Sequence, residues 1–200
     1  MISNEQHNPP LHGLVLAGGK STRMGTRKDE MLWHGKQQRY YAADLLAALC
    51  ASVYISCRKE QLADFDSNYR PLADTFMDMG PTGGILSALR SNRKVAWLVV
   101  ACDLPLLDER TLSDLVKQRN CHKIATAYQS PFDGLPEPLI TIWEPDSFHV
   151  LLRFLGDGMT CPRKVLLQSD IQLIESSEPS RLMNVNTPAD AEEARKLLVR

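Results

Sequence analysis

The stretch Gly13-Leu14-Val15-Leu16-Ala17-Gly18-Gly19-Lys20-Ser21-Thr22-Arg23-Met24-Gly25 decides the fold. Its first half is a short apolar run without alternation, as expected of a strand buried on both faces. In its second half, glycines bring bare amides close enough to a ligand to cradle phosphate oxygens. Lys20, Arg23 and, just beyond, Lys28 add point and fork charges. A plain strand-to-helix turn would account for Gly18-Gly19 but not for this concentration of cations. Two better-known glycine loops do not fit. A P-loop places a glycine five residues before its Gly-Lys-Ser; counted back from Gly19-Lys20-Ser21 that position is Leu14, with Gly13 one place off. A dinucleotide fingerprint needs GxGxxG, whereas Gly18 and Gly19 are adjacent and the next glycine is Gly25.

Outward from this stretch, further apolar runs at Ser52–Ser56 and Val95–Ala101 read as buried strands, with extended segments near Ile124–Ala127 and Pro138–Trp143. Helical periodicity runs over Arg39–Leu49, Gly84–Arg90, Thr111–Lys117, Ser147–Leu155 and Pro188–Leu198, the last with Thr187 as N-cap and Pro188 at the first position. Alternation of strand and helix predicts an α/β fold: a three-layer, Rossmann-like arrangement with a mostly parallel central sheet. Ligands of such sheets bind beyond the carboxyl ends of the strands, so the chemistry is expected in the loops that follow them.

The chain has 200 residues, enough for one domain with a full core and no need of a staple. A flexible tail over residues 1–10 and a single domain over 11–200 are expected. Lys and Arg total 23 against 24 Asp and Glu. There is therefore no global field for a nucleic-acid backbone or an anionic membrane, and an anionic ligand must be met by a local device. No apolar run reaches a membrane span, and the first ten residues lack a signal core, which reads as cytoplasmic. Five cysteines, odd in number and without CxxC spacing, read as reduced packing residues, and the five histidines as surface or packing residues.

The segment from Leu16 to Gly25, LAGGxSxRMG followed by Lys28, resembles the nucleotidyltransferase family of molybdenum cofactor guanylyltransferases, the MobA-like enzymes. The resemblance continues through Gly35-Lys36, Asp74, Gly80-Pro81-Thr82-Gly83-Gly84, Ala101-Cys102-Asp103-Leu104-Pro105, Pro136-Glu137-Pro138-Leu139 and Asn184-Val185-Asn186-Thr187-Pro188. Two positions depart from the pattern: Gln37 replaces a proline, and Arg27 stands where most members carry aspartate, with Asp29 and Glu30 directly after.

What the resemblance implies is transfer of GMP from GTP to the phosphate of molybdopterin, with pyrophosphate leaving and Mg²⁺ as cofactor. Its implied nucleotide site comprises Leu16, Ala17, Gly18, Gly19, Lys28, Asp74, Gly80, Gly83 and Asp103. Lys28, Arg23 and Asp103 would carry the catalysis. Asp103 ends an apolar run, where it either holds the metal or caps a turn. Asn184 and Asn186 would complete the metal shell or meet the acceptor, and Arg163 would meet the acceptor's charge or lie on a solvated helix start. Partners implied are GTP and a molybdopterin-type cofactor, with docking to molybdoenzyme chaperones or other cofactor-biosynthesis proteins. The rival readings are a cytidylyltransferase or sugar-phosphate nucleotidyltransferase of the same fold, and a non-catalytic nucleotide-binding module.

Overall fold

The runs that lack alternation become the centre of one sheet. The computed structural model describes residues 8–17 and 28–198. Strand β1 (Leu11–Leu16) pairs in parallel with β4 (Ala96–Ala101), Leu11 opposite Ala96 and Leu16 opposite Ala101. Every residue of β4 is buried. Side chains leave a strand alternately to its two faces, and here both faces are covered. Ala96, Leu98 and Val100 join a core with helices α1 (Gln38–Ala47) and α3 (Glu109–Lys117). Trp97 and Val99 join a second core with α2 (Pro81–Ser91), α4 (Ser147–Gly156) and α5 (Pro162–Leu167). Two covered faces are why such a strand is apolar at every position.

Strands β2 (Ser52–Cys57), β3 (Pro71–Ala73), β5 (Ala125–Gln129), β6 (Pro136–Trp143) and β7 (Gln172–Ile174) complete the order β3-β2-β1-β4-β6-β5-β7. Only β6 runs antiparallel to its neighbours among the described residues. The expected three-layer, mostly parallel architecture is thus present. A last helix, α6 (Pro188–Leu198), covers a small third core of Leu106, Val185, Ala191 and Ala194. Its start is capped in both directions: Asp190 Oδ2 accepts from the amides of Asn186 and Thr187, each at 2.9 Å, and Thr187 Oγ1 accepts from that of Asp190 at 3.2 Å. The backbone donors left over at a helix start are satisfied by this exchange.

Three elements escaped periodicity because they are short: β3 and β7 have three residues each and α5 has six. Helix α2 begins at Pro81, three residues before its expected start, with proline placed where a missing amide costs nothing. The uniform reading of the cysteines as packing residues needs correction. Cys57 and Cys102 are buried, but Cys161 is exposed, because it precedes α5 at the surface rather than facing the sheet. Of the expected tail, residues 1–7 lie outside the described residues, and Pro10 O already accepts from Ala96 N. No helix among the described residues is long and apolar enough to cross a membrane.

Candidate active site

The sheet order reverses at β1: the chain leaves β1 for β2 on one side, while β4 lies on the other. Loops that depart in opposite directions open a crevice beyond the carboxyl ends of the two strands. A cleft of about 750 Å³ lies there, lined among others by Leu16, Ala17, Lys28, Asp74, Gly80 and Asp103. That volume suits a nucleotide-sized ligand. Six residues that the sequence spreads from 16 to 103 are brought together because each follows or ends a parallel strand or opens the next turn.

Asp103 follows β4 and is tied down by its own carbonyl, which accepts from Val185 N at 2.7 Å. That bond joins the end of β4 to the Asn184–Asn186 loop, although about 80 residues separate them. Lys28 completes the bridge: its Nζ donates to Asn186 Oδ1 at 2.6 Å and lies 3.7 Å from Asp103 Oδ2. Asp103 Oδ1 is buried with no hydrogen-bond partner among the described residues. Burial pushes the Asp103 carboxyl above its ordinary range; Lys28 opposes the shift, and Glu137 of β6 adds to it. An orphaned, buried carboxylate oxygen is costly. Asn186 Oδ1 is taken up by the Lys28 ammonium, so the open hard oxygen here is Asp103 Oδ1, a donor that fits Mg²⁺.

Asp74 directly follows β3, with its amide donating to Cys57 O at 2.8 Å. Ser56 Oγ donates to Asp74 Oδ1 at 2.7 Å. Burial raises the Asp74 carboxyl and the Ser56 bond opposes that rise. The wall beyond Asp74 is built on glycine. Gly80 caps α2 with φ +55°, and a Cβ on Gly83 would lie 2.3 Å from Phe76 O. On Gly84 it would lie 2.7 Å from both Leu16 Cδ2 and Ser56 Oγ. Gly80 lines the cleft, while Gly83 and Gly84 let α2 pack against the Phe76 backbone and the Leu16 and Ser56 side chains.

Gly18, Gly19, Lys20, Arg23 and Arg27 lie outside the described residues. The Arg163 fork spans Asp133 Oδ2 at 2.7 Å and Glu137 Oε2 at 3.1 Å, an arrangement in which two acids of this chain occupy it. Sequence reasoning missed Ser56, a small polar residue near a strand end with nothing to distinguish it. It also missed Arg58 and Lys59, which line the cleft after β2, and the burial of Arg39.

A family model described as the MobA-like NTP transferase domain matches residues 13–172. A molybdenum cofactor biosynthesis bifunctional protein of Synechocystis sp. is 36% identical over 182 residues, covering 90% of this chain and 52% of that protein. The chain therefore spans about half the length of that relative. A molybdenum cofactor guanylyltransferase of Pseudomonas putida is 29% identical over 188 residues, covering 90% of this chain and 95% of that one. Among solved structures, molybdopterin-guanine dinucleotide biosynthesis protein A of Archaeoglobus fulgidus superposes with a TM-score of 0.77 at 21% identity, covering 94% of this chain and 98% of its own. The cleft at the switch of strand order and a family model that covers most of the sequence agree: the chain belongs to the MobA-like NTP transferase family and is a nucleotidyltransferase.

Proposed function

We propose that this chain transfers GMP from GTP to the phosphate of a molybdopterin-type cofactor. An oxygen of the acceptor phosphate forms a bond to the α-phosphorus, the bond from that phosphorus to the bridging oxygen breaks, and pyrophosphate leaves. The observation that carries the reading is the Lys28–Asn186–Asp103 constellation at the mouth of the switch crevice. A phosphate monoester has a second pKa of roughly 6 and is mostly a dianion at neutral pH, so no general base is required. Positioning and charge neutralisation then carry the catalysis.

Lys28 supplies an ammonium within reach of the triphosphate, held in place by Asn186, and Arg23 is assigned a second cation on the leaving pyrophosphate. Asp103, with its unpartnered Oδ1, is assigned to hold Mg²⁺, and Asn184 and Asn186 to meet water in the metal's shell or the acceptor. A Mg²⁺ held there would supply charge neutralisation for phosphate groups that otherwise repel the incoming dianion. Leu16, Ala17, Gly18, Gly19, Gly80 and Gly83 give backbone access to the nucleotide. Asp74, oriented by Ser56, accepts from guanine N–H groups or ribose hydroxyls. The names borne by the Synechocystis and Pseudomonas relatives support the acceptor. A cytoplasmic site of action belongs to the same reading.

Thermal stability with GTP, CTP, ATP and UTP, each with and without Mg²⁺, tests it, because a ligand that binds only the native state raises the melting temperature. Mg·GTP is expected to give the largest shift, followed by pyrophosphate release that depends on molybdopterin. A preference for CTP would move the function to a cytidylyltransferase. Binding of nucleotide without release of pyrophosphate from it in the presence of any acceptor would make the chain a non-catalytic module.

A further inference from the structure

The segment Gln37–Tyr41 has so far had no part in the function, yet it contains the most deeply placed cation of the cleft's surroundings. Arg39 is 4% exposed, between the Tyr40 and Phe65 rings at 4.8 and 4.7 Å. Its Nη1 lies 3.4 Å from Asp29 Oδ2 and 3.9 Å from Glu30 Oε1, and its Nε has no hydrogen-bond partner among the described residues. Removing a charge pair from water costs about as much as the attraction returns, so stability alone is a weak reason for it. The reason is better sought in what the pair holds.

It holds the residue next to Lys28. Lys28–Glu30 is one 3₁₀ turn, with Met31 N donating to Lys28 O at 3.4 Å. The turn is clipped to the start of α1 by Gln38 N donating to Met31 O at 2.9 Å. From this turn Asp29 is buried against Arg39 while Lys28 reaches Asn186. The same first turn of α1 also grips the other side of the site, since Gln38 Nε2 donates to Leu104 O, directly after Asp103, at 3.3 Å.

We propose that Arg39 is the positioning residue for Lys28: through Asp29, its buried guanidinium fixes the Lys28–Glu30 turn so that the Lys28 amine stays between Asn186 and Asp103. Guanidinium suits the task because it is more weakly hydrated than an ammonium, stacks on rings and never deprotonates. The inference rests on Lys28 acting in the proposed transfer, so its test has one arm that does not use activity.

In that arm, the folded protein is labelled with trace acetic anhydride, and acetylation of Lys28 is compared with that of the exposed Lys117 by mass spectrometry. Arg39→Met is expected to raise the Lys28-to-Lys117 ratio several-fold, and Arg39→Lys to restore it in part. In the second arm, Arg39→Met is expected to lower kcat roughly 10- to 100-fold, with a smaller change in KM, as misplacement of a catalytic group by about 1 Å does. The same change made in a Lys28→Met background is expected to cost nothing more. A structural ion pair would instead lower the melting temperature, leave the labelling ratio at its wild-type value and multiply with Lys28→Met; either of the last two results overturns the proposal. If Arg39→Met does not fold, Asp29→Asn replaces it, with the same expected and overturning results. Absence of transfer by the wild type would refute the proposed function, while the labelling ratio would still decide the role of Arg39.

Discussion

Asp103→Asn should separate the stability of this protein from its chemistry. The buried Oδ1 of Asp103 lacks a hydrogen-bond partner among the described residues, and a charged acceptor left so costs about 1–3 kcal/mol. Lys28 Nζ, 3.7 Å from Oδ2 with its short bond given to Asn186, returns about 1 kcal/mol, a modest figure because both side chains keep some solvent contact at 24% and 18% exposure. The raised pKa of the carboxyl has the same sign: burial outweighs Lys28. Asparagine keeps the shape and removes the charge, so the ligand-free variant should be more stable at pH 7 by about 1 kcal/mol, or about 2–4 °C in melting temperature for a chain of this size. A carboxyl raised in the folded state contributes stability that is full below its ordinary range and is lost as pH rises through the folded value. The substituted amide does not titrate, so the variant's advantage is present at neutral pH and shrinks as pH falls into the ordinary carboxylate range. With saturating Mg·GTP the order reverses, since the wild type gains about 2.7 kcal/mol at a ligand concentration about 100 times Kd and the variant loses most of that. The assay is a melting series at several pH values with and without Mg·GTP. A ligand-free variant that melts below the wild type at pH 7, or a gain that does not change with pH, would refute the reasoning.

Gly83→Ala places a methyl 2.3 Å from Phe76 O and should destabilise the fold by about 1–3 kcal/mol, read as a lower urea midpoint, together with weaker nucleotide binding as the Phe76 wall moves. Ser56→Ala removes the bond that opposes the upward shift of Asp74; the pH midpoint of nucleotide affinity, with binding gained as Asp74 ionises, should move to higher pH in a titration of Kd against pH. Iodoacetamide at neutral pH should label the exposed Cys161 first among the five free cysteines. Burial pushes the thiols of Cys57 and Cys50 up to about 11 and about 12, so both should label only on unfolding.

How much was legible beforehand differs by residue. The all-apolar run ending at Ala101 announced a strand covered on both faces, and hence the layer architecture, because only a fully buried strand tolerates apolar side chains at every position. Thr187-Pro188 and Asp190 announced the cap of α6, since capping is a contact between near neighbours in the chain. Asp103, Asp74 and Lys28 were legible as strand-end or loop residues and through the family resemblance. Their meeting in one cleft was not, because the contacts that assemble it join positions 158 residues apart in one case and 18 in another.

What the sequence determined by itself is therefore whatever local sterics, periodicity and near-neighbour hydrogen bonds decide: the five longer strands, most helices and the cap of α6, while the Gly80–Gly84 segment and Asp74 came through the family resemblance. Only the tertiary structure decided which charges keep their water. Arg39 and Arg163 are both arginines at the starts of helices. One ends at 4% exposure between two rings and against Asp29. The other spans Asp133 and Glu137 at the start of α5. Burial of a charge depends on what other segments bring to it, and no periodicity along the chain encodes that.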